Sequence, residues 1–209
     1  MVVNFANDEA QNASCTVNVN ISGITPIHAI QGNGASSPLD SQQVTTQGVV
    51  TKVMNNGFFM QDETPDADEA TSEGIYVFTS TAPTVVVGNR VRVAATVKEF
   101  NVGTLTNSAT AANPLTELIN AAVTVVASGI TIAPTVITFP EINEGDLERY
   151  EGMLVRIEGP LTVGQNYFLG RFGQLTVSAG GRLEKPTNRY QAGSIDAIAM
   201  AADNARRRI

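Results

Sequence analysis

The feature that most constrains the fold is an alternation in steps of two, which is clearest in residues 90–98. There the apolar side chains share one face of an extended chain and the polar ones share the other. The apolar set is Val91, Val93, Ala95 and Val97, and the polar set is Arg90, Arg92, Thr96 and Lys98. This period predicts a half-buried β-strand with a cationic outer face.

Other segments with the same period are separated by turn signals. Residues 47–62, "QGVVTKVMNNGFFMQD", predict two strands joined by an Asn-Asn-Gly turn, because Asn and Gly tolerate the positive φ that hairpins need. "GIYVFTS" (74–80) predicts a third strand, and a short helix over 114–121 is expected before a last strand at 123–127. Short strands with one short helix before the last are typical of an OB-type five-stranded barrel.

A boundary is predicted near 128–134, followed by a second small β-rich region. We expect there a helical turn, a strand, a hairpin and a C-terminal helix, at residues 144–150, 153–157, 166–178 and 193–209. A faint similarity between "GVVTKVMNNGFFMQD" and "GMLVRIEGPLTVGQNYFLG" indicates either two small barrels or one elaborated barrel. The predicted fold is therefore mainly β with few short helices, in three parts: 1–24 a linker or the end of a preceding module, 25–128 an OB-type domain, and 129–209 a second β-rich domain.

The charge distribution limits the function classes. The formal net charge is −7, and residues 1–130 hold 11 acids against four bases. Because proteins that bind nucleic acid tightly usually present a basic face to the phosphates, the acidity argues against tight autonomous binding and leaves weak or local contact open. No apolar run is long enough to cross a membrane. The single cysteine, Cys15, excludes an intramolecular disulfide.

Six carboxylates lie in residues 62–73, between two aromatic-rich runs. Four of them have a spacing that could wrap a calcium ion, namely Asp62, Asp66, Asp68 and Glu73. The stretch is not an EF-hand loop, because a ligand position of that loop would fall on Ala70 and its glycine is missing. The alternative is a solvated loop that keeps a sheet edge from pairing.

Aromatic and basic residues near this stretch are candidates for contact with single-stranded nucleic acid. OB-folds stack bases on exposed aromatic rings and follow phosphates with cations. The candidates are Phe59, Tyr76, Phe78 and Phe100, with the cations Arg90, Arg92 and Lys98. The alternative is that these rings fill the barrel core or cover it beneath a loop.

Residues 25–78, which include "HAIQGNGASSPL" and "FFMQD", resemble the YhcR-like OB-fold domain of secreted ExeM/NucH-type bacterial endonucleases. The later stretches "DLERYEGMLVRIEGPLTV" and "NYFLGRFGQLTVSAGGRLEKPTN" resemble the segment that follows this domain, so the resemblance covers about 25–209. It implies a secreted or cell-surface location and a covalently linked, metal-dependent nuclease domain downstream of Ile209. Residues 25–209 are then expected to be non-catalytic, with His28 as a structural residue that hydrogen-bonds the "IQGNG" turn.

Two functions from different classes follow. The first is an accessory module, without enzymatic activity, that positions single-stranded nucleic acid for the linked catalytic domain. The second is a structural or assembly module, with or without calcium, that spaces domains or associates with copies of itself. The acidity favours the second, and the family resemblance favours the first.

Overall fold

The computed structural model describes residues 2–6, 12–16, 23–101, 103 and 111–209, and they form a mainly β structure. Near the N-terminus, β1 (Val2–Ala6) and β2 (Asn12–Thr16) pair antiparallel. The prediction that residues 1–24 are a linker or the end of a preceding module lies mostly outside the described residues.

Five strands between residues 43 and 127 pair in a closed barrel. They are β3 (Gln43–Met54), β4 (Gly57–Gln61), β5 (Gly74–Phe78), β6 (Arg90–Phe100) and β7 (Leu115–Ala127). Their order is β3-β4-β5-β7-β6, and β6 pairs in turn with β3. All of these pairs are antiparallel except β5 with β7, which is parallel. The turn predicted between 54 and 57 is confirmed.

The alternation of apolar and polar residues in the sequence of β6 matches the alternation of buried and exposed side chains in the barrel. The predicted apolar face of β6 is buried, with Val91, Val93 and Val97 fully inaccessible. A helix that the sequence did not predict, α1 (Ile27–Gln31), adds Ile27 and Ile30 to the same core. Since two of its five residues are fully buried there, α1 closes the barrel interior on one side.

The helix predicted over 114–121 is wrong, because β7 runs without a break from Leu115 to Ala127. The pairing of β7 with β6 extends from Leu115 to Ala127 and includes Leu118 opposite Val97, both fully buried. A local helical preference is worth only tenths of a kcal/mol per residue, and this ladder of hydrogen bonds and buried side chains outweighs it.

The C-terminal region (129–209) is built from smaller pieces. It has two two-stranded sheets: β8 (Thr135–Ile137) parallel to β9 (Val155–Ile157), and β10 (Leu161–Gln165) antiparallel to β11 (Thr176–Ala179). The remaining elements are a 3₁₀ turn (Glu148–Tyr150), a one-turn helix α2 (Leu169–Phe172), a second 3₁₀ turn (Pro186–Asn188) and the C-terminal helix α3 (Ile195–Arg206). Neither sheet closes into a second barrel.

Three of the expectations for this region are confirmed: the turn near 148, the strand ending at Ile157 and the C-terminal helix. The hairpin over 166–178 is wrong. Its first half forms a turn and α2, and the partner of β11 is the preceding β10. Gly173 ends α2 with a φ of 67°, the left-handed conformation usual for a glycine after a helix.

Residues 151–154 join the C-terminal region to the barrel. The hydroxyl of Ser72 donates to the Glu151 carbonyl at 2.6 Å, and the Leu154 amide donates to the Gln61 side chain at 2.8 Å. A Cβ on Gly74 would overlap the backbone of Gly152. This backbone-to-backbone approach explains why β5 begins on a glycine.

Candidate functional sites on the barrel

One continuous row of side chains crosses all five strands on the outside of the barrel. Successive register partners are Lys52 with Phe59, Phe59 with Tyr76, Tyr76 with Glu117, and Glu117 with Lys98. Directly paired residues project from the same face of a sheet. These five residues, the outer row, therefore place two aromatic rings between two lysines.

The two rings of the outer row are in contact. The centroids of Phe59 and Tyr76 are 4.8 Å apart, with the planes tilted by 49°. The Tyr76 ring lies over Gly57, where a Cβ would overlap it, and its hydroxyl donates to the Asn56 side chain at 3.0 Å. Tyr76 is thus held in place and buried, while Phe59 is half-buried and offers part of its ring to solvent.

The other predicted aromatic residues lie at strand ends and, among the described residues, form no ring contact with this pair. Phe78 is half-buried at the end of β5, opposite Gly57. Phe100 is exposed at the end of β6, opposite Leu115. The structure therefore brings together only Phe59 and Tyr76 of the four predicted aromatic residues.

The predicted cations differ in what they contact. The Arg90 guanidinium forms a bidentate pair with Glu63, at 2.5 and 2.7 Å, and this pair lowers the pKa of the Glu63 carboxyl. Arg92 and Lys98 are exposed on the outer face of β6. The sequence reasoning missed Lys52, although counting back from the Asn-Asn-Gly turn pairs it with Phe59.

The acidic loop, residues 62–73, connects β4 to β5 and contains the four predicted calcium ligands. Asp62 accepts a hydrogen bond from the Ile27 amide at 3.0 Å, and burial raises the pKa of its carboxyl to about 6. Asp68 accepts from the Ala70 amide at 2.9 Å. Only Asp66 and Glu73 come together as a candidate ligand pair.

The side chain of His28 joins these two acids, while its backbone makes the predicted hydrogen bond to the "IQGNG" turn. Its Nδ1 lies 3.5 Å from Asp66 Oδ2 and 3.7 Å from Glu73 Oε2. The hydrogen bond to the turn is accepted by the His28 carbonyl, from the Gly32 amide at 2.8 Å. The acids are distant from His28 in sequence, so only the packing of α1 against the barrel could reveal this cluster.

A second acidic group lies where residues 148–151 meet the barrel. Glu151 Oε1 accepts from the Thr116 amide at 3.0 Å and from the Gln31 side chain at 3.3 Å. Burial raises the pKa of the Glu151 carboxyl to about 7 and also raises that of Glu148. These carboxyls therefore hold protons in a pH range where ordinary glutamates are ionised.

Comparison with models of protein families, with curated proteins and with solved structures found no match. Within the described part of the chain, no helix is long and apolar enough to cross a bilayer. The geometry of the barrel surface is accordingly the basis for assigning a function.

Proposed function

We propose that this chain is a non-catalytic OB-type module that binds single-stranded nucleic acid on its outer row. Five strands in a closed barrel, with a parallel pair between its third and fifth strands, support the OB assignment. OB-folds bind oligonucleotides on the face of their second and third strands, which here are β4 and β5. The observation that carries the proposal is the Phe59–Tyr76 pair on those two strands, with Lys52 next to Phe59 and Lys98 beyond Glu117 on the other side.

The chemistry of the row suits a base and its flanking phosphates. A base stacked on an aromatic side chain gains about 1 to 3 kcal/mol, whatever its identity. Phe59 supplies the open ring and Tyr76 supports it from one side. The two lysines supply mobile charges for phosphate on either side of the rings.

The neighbouring carboxylates reduce this affinity without abolishing it. Glu63 is paired with Arg90, and burial raises the pKa of Glu117, the one acid of the row. The acid-rich composition still predicts weak and strongly salt-dependent binding. A covalently linked nuclease domain of a secreted protein, as the family resemblance implies, would provide the context in which weak positioning of substrate is useful, because linkage raises the effective concentration.

The structural alternative draws its support from the C-terminal region. Tyr167 is 78% exposed and meets Phe168 edge-to-face, with ring centroids 4.9 Å apart. Exposed aromatic residues of this kind are common where copies of a protein associate. Sedimentation of the purified chain over a range of concentrations measures this association, and Tyr167→Ala is expected to reduce it.

Fluorescence anisotropy of a labelled oligothymidine of about 15 nucleotides tests the nucleic-acid proposal. At about 50 mM salt, the affinity should fall at least about fivefold in Phe59→Ala, and the double change Lys52→Ala with Lys98→Ala should flatten the salt dependence. Tyr167→Ala, which removes an exposed aromatic ring from the other region, should bind like the unchanged chain. No binding by the unchanged chain at low salt, or equal loss in both aromatic variants, would refute the proposal.

A further inference from the structure

We propose that His28, Asp66 and Glu73 form a binding site for a zinc-like divalent transition-metal ion. The three residues come from α1 and from the acidic loop, and one ligand atom of each lies within 4.8 Å of the others. This site is separate from the outer row and does not depend on the nucleic-acid proposal.

The two distances from the His28 nitrogen to the carboxylate oxygens are close to those around a tetrahedral ion. With bonds of about 2.1 Å, two ligands of a tetrahedral zinc ion are about 3.4 Å apart. Here His28 Nδ1 lies 3.5 Å from Asp66 Oδ2 and 3.7 Å from Glu73 Oε2. Both distances exceed the range of a hydrogen bond between nitrogen and oxygen, about 2.7 to 3.2 Å. Hydrogen bonds between the side chains therefore do not account for the arrangement, and an ion pair at these distances would require a protonated imidazole in the place of the metal ion.

Two buried atoms of the cluster point to a missing partner. Glu73 is 3% exposed, and its Oε2 has no hydrogen-bond partner among the described residues. The Nδ1 atom of His28 is inaccessible and equally unpaired within that part of the chain. Leaving buried polar atoms unpaired is costly, and an ion between them would satisfy both.

The rest of each carboxylate is already occupied in a way that directs the free oxygen at His28. Glu73 Oε1 accepts from the Asp66 amide at 2.9 Å, and Asp66 Oδ1 accepts from the Asp68 amide at 2.8 Å. Each acid thus uses one oxygen to hold the loop and keeps the other, Oε2 or Oδ2, for the cluster. Hydrogen bonds that orient ligands in this way are usual around metal ions in proteins.

The donor set selects the class of metal. Calcium takes six to eight oxygen ligands, whereas imidazole nitrogen suits zinc and its neighbours in the transition series. One imidazole and two carboxylates leave a fourth tetrahedral position for water. Bound there, the ion would fasten α1 to the acidic loop.

The chain is well suited to a direct test, because it has one histidine and one cysteine. Zinc binding by the untagged chain is measured by calorimetry, with elemental analysis after dialysis, in a Cys15→Ser background that removes the only thiol. We expect one zinc ion per chain and a thermal midpoint raised by several degrees, since an ion that binds only the folded state stabilises it. The imidazole ¹⁵N resonance of Nδ1 should shift on addition of zinc.

Variants distinguish zinc binding by His28, Asp66 and Glu73 from a general attraction of zinc to the negative charge of the acidic loop. His28→Gln and Asp66→Asn should each weaken zinc binding at least tenfold. Glu69→Gln removes the same charge from the same loop at a side chain that is 94% exposed, and should leave binding unchanged. Circular dichroism without metal checks that each variant is folded.

No zinc binding by the unchanged chain would overturn the proposal. Binding that survives His28→Gln in the Cys15→Ser background, or an imidazole ¹⁵N resonance that does not respond to zinc, would overturn it as well. Stabilisation by calcium and not by zinc would also overturn it, and would favour the oxygen-only site predicted from Asp62, Asp66, Asp68 and Glu73.

Discussion

The barrel and the C-terminal region use the same alternating sequence pattern but bury very different amounts of it. The barrel and α1 share one core of fully buried side chains, including Phe58, Met60 and Leu118. Among the residues of 129–209 whose burial the structure describes, the buried hydrophobic ones are Ile137, Ala179 and Ala197. Large apolar residues such as Ile195 and Ile198 are exposed there.

The difference shows that alternation becomes a core only when a sheet closes or is covered. A two-stranded ribbon is marginally stable in water on its own, and both sheets of the C-terminal region are of this kind. The contacts of residues 151–154 with the barrel are therefore expected to contribute much of that region's stability. Three substitutions, taken from the largest expected effect to the smallest, test this comparison.

Phe58→Ala should have the largest effect. Phe58 is fully buried in the barrel core, and truncation of such a ring costs about 3 to 5 kcal/mol of unfolding free energy. Val163→Ala in β10, where the side chain is 54% exposed, should cost less than about 1 kcal/mol. Urea unfolding followed by circular dichroism compares the two. Similar losses in both variants would contradict the division into a packed barrel and a lightly packed region.

Gly74→Ala should come next, because it forces β5 and the Gly152 backbone apart. Overpacking usually costs about 1 to 3 kcal/mol, and a clash with backbone belongs at the upper end of that range. We also expect faster proteolysis of the C-terminal region, since its attachment is disturbed. Gly170→Ala is the matched control, because nothing lies within 4 Å of the added methyl group. Equal protease resistance of the two variants would show that residues 151–154 do not hold the region in place.

The smallest expected effect is a dependence of the unfolding free energy on pH. It arises from Glu151, which belongs to the contact between residues 151–154 and the barrel. Burial raises the pKa of its carboxyl from 4.5 to about 7 in the folded protein. Between these values the folded state keeps a proton that the unfolded chain releases, so this contribution to stability is complete below about pH 4.5 and is lost as the pH rises through 7. Allowing for its remaining contact with water, the loss is about 2 kcal/mol.

Glu151→Gln removes this titration and keeps the acceptor for the Thr116 amide. The variant should unfold like the unchanged chain at pH 5 and be more stable at pH 8, as measured by urea midpoints at the two pH values. Glu158→Gln, at an exposed position, should show no such difference. A variant that is less stable than the unchanged chain at pH 8 would mean that the ionised carboxylate is the stabilising form.

The barrel strands could be predicted because their pattern is local. Alternation and the Asn-Asn-Gly turn located β3, β4, β5 and β6 and the buried face of β6. The start of β7 could not be predicted in this way, because residues 114–121 also suit a helix. Its extended form depends on pairing with β6, which no local pattern records.

The residues of the candidate sites also differ in whether a local sequence pattern could reveal them. Phe59 and Tyr76 were found from alternation, and Lys52 could have been found from the turn. His28 could not be connected with Asp66 and Glu73, because the connection is made by the position of α1 in the fold. The ion pair between Arg90 and Glu63 could not be predicted for the same reason, since it joins β6 to the acidic loop.

The parallel contact between β5 and β7 has a consequence for association between molecules. Its register spans only Tyr76 with Glu117 and Val77 with Leu118, while the contact between β3 and β6 covers seven residue pairs. Local separation of neighbouring strands should therefore cost the least free energy between β5 and β7. Opening there would create two unpaired strand edges, and the same edges on a second molecule could complete them. In a concentrated solution, the contact between β5 and β7 is where this barrel would exchange strands with a second molecule.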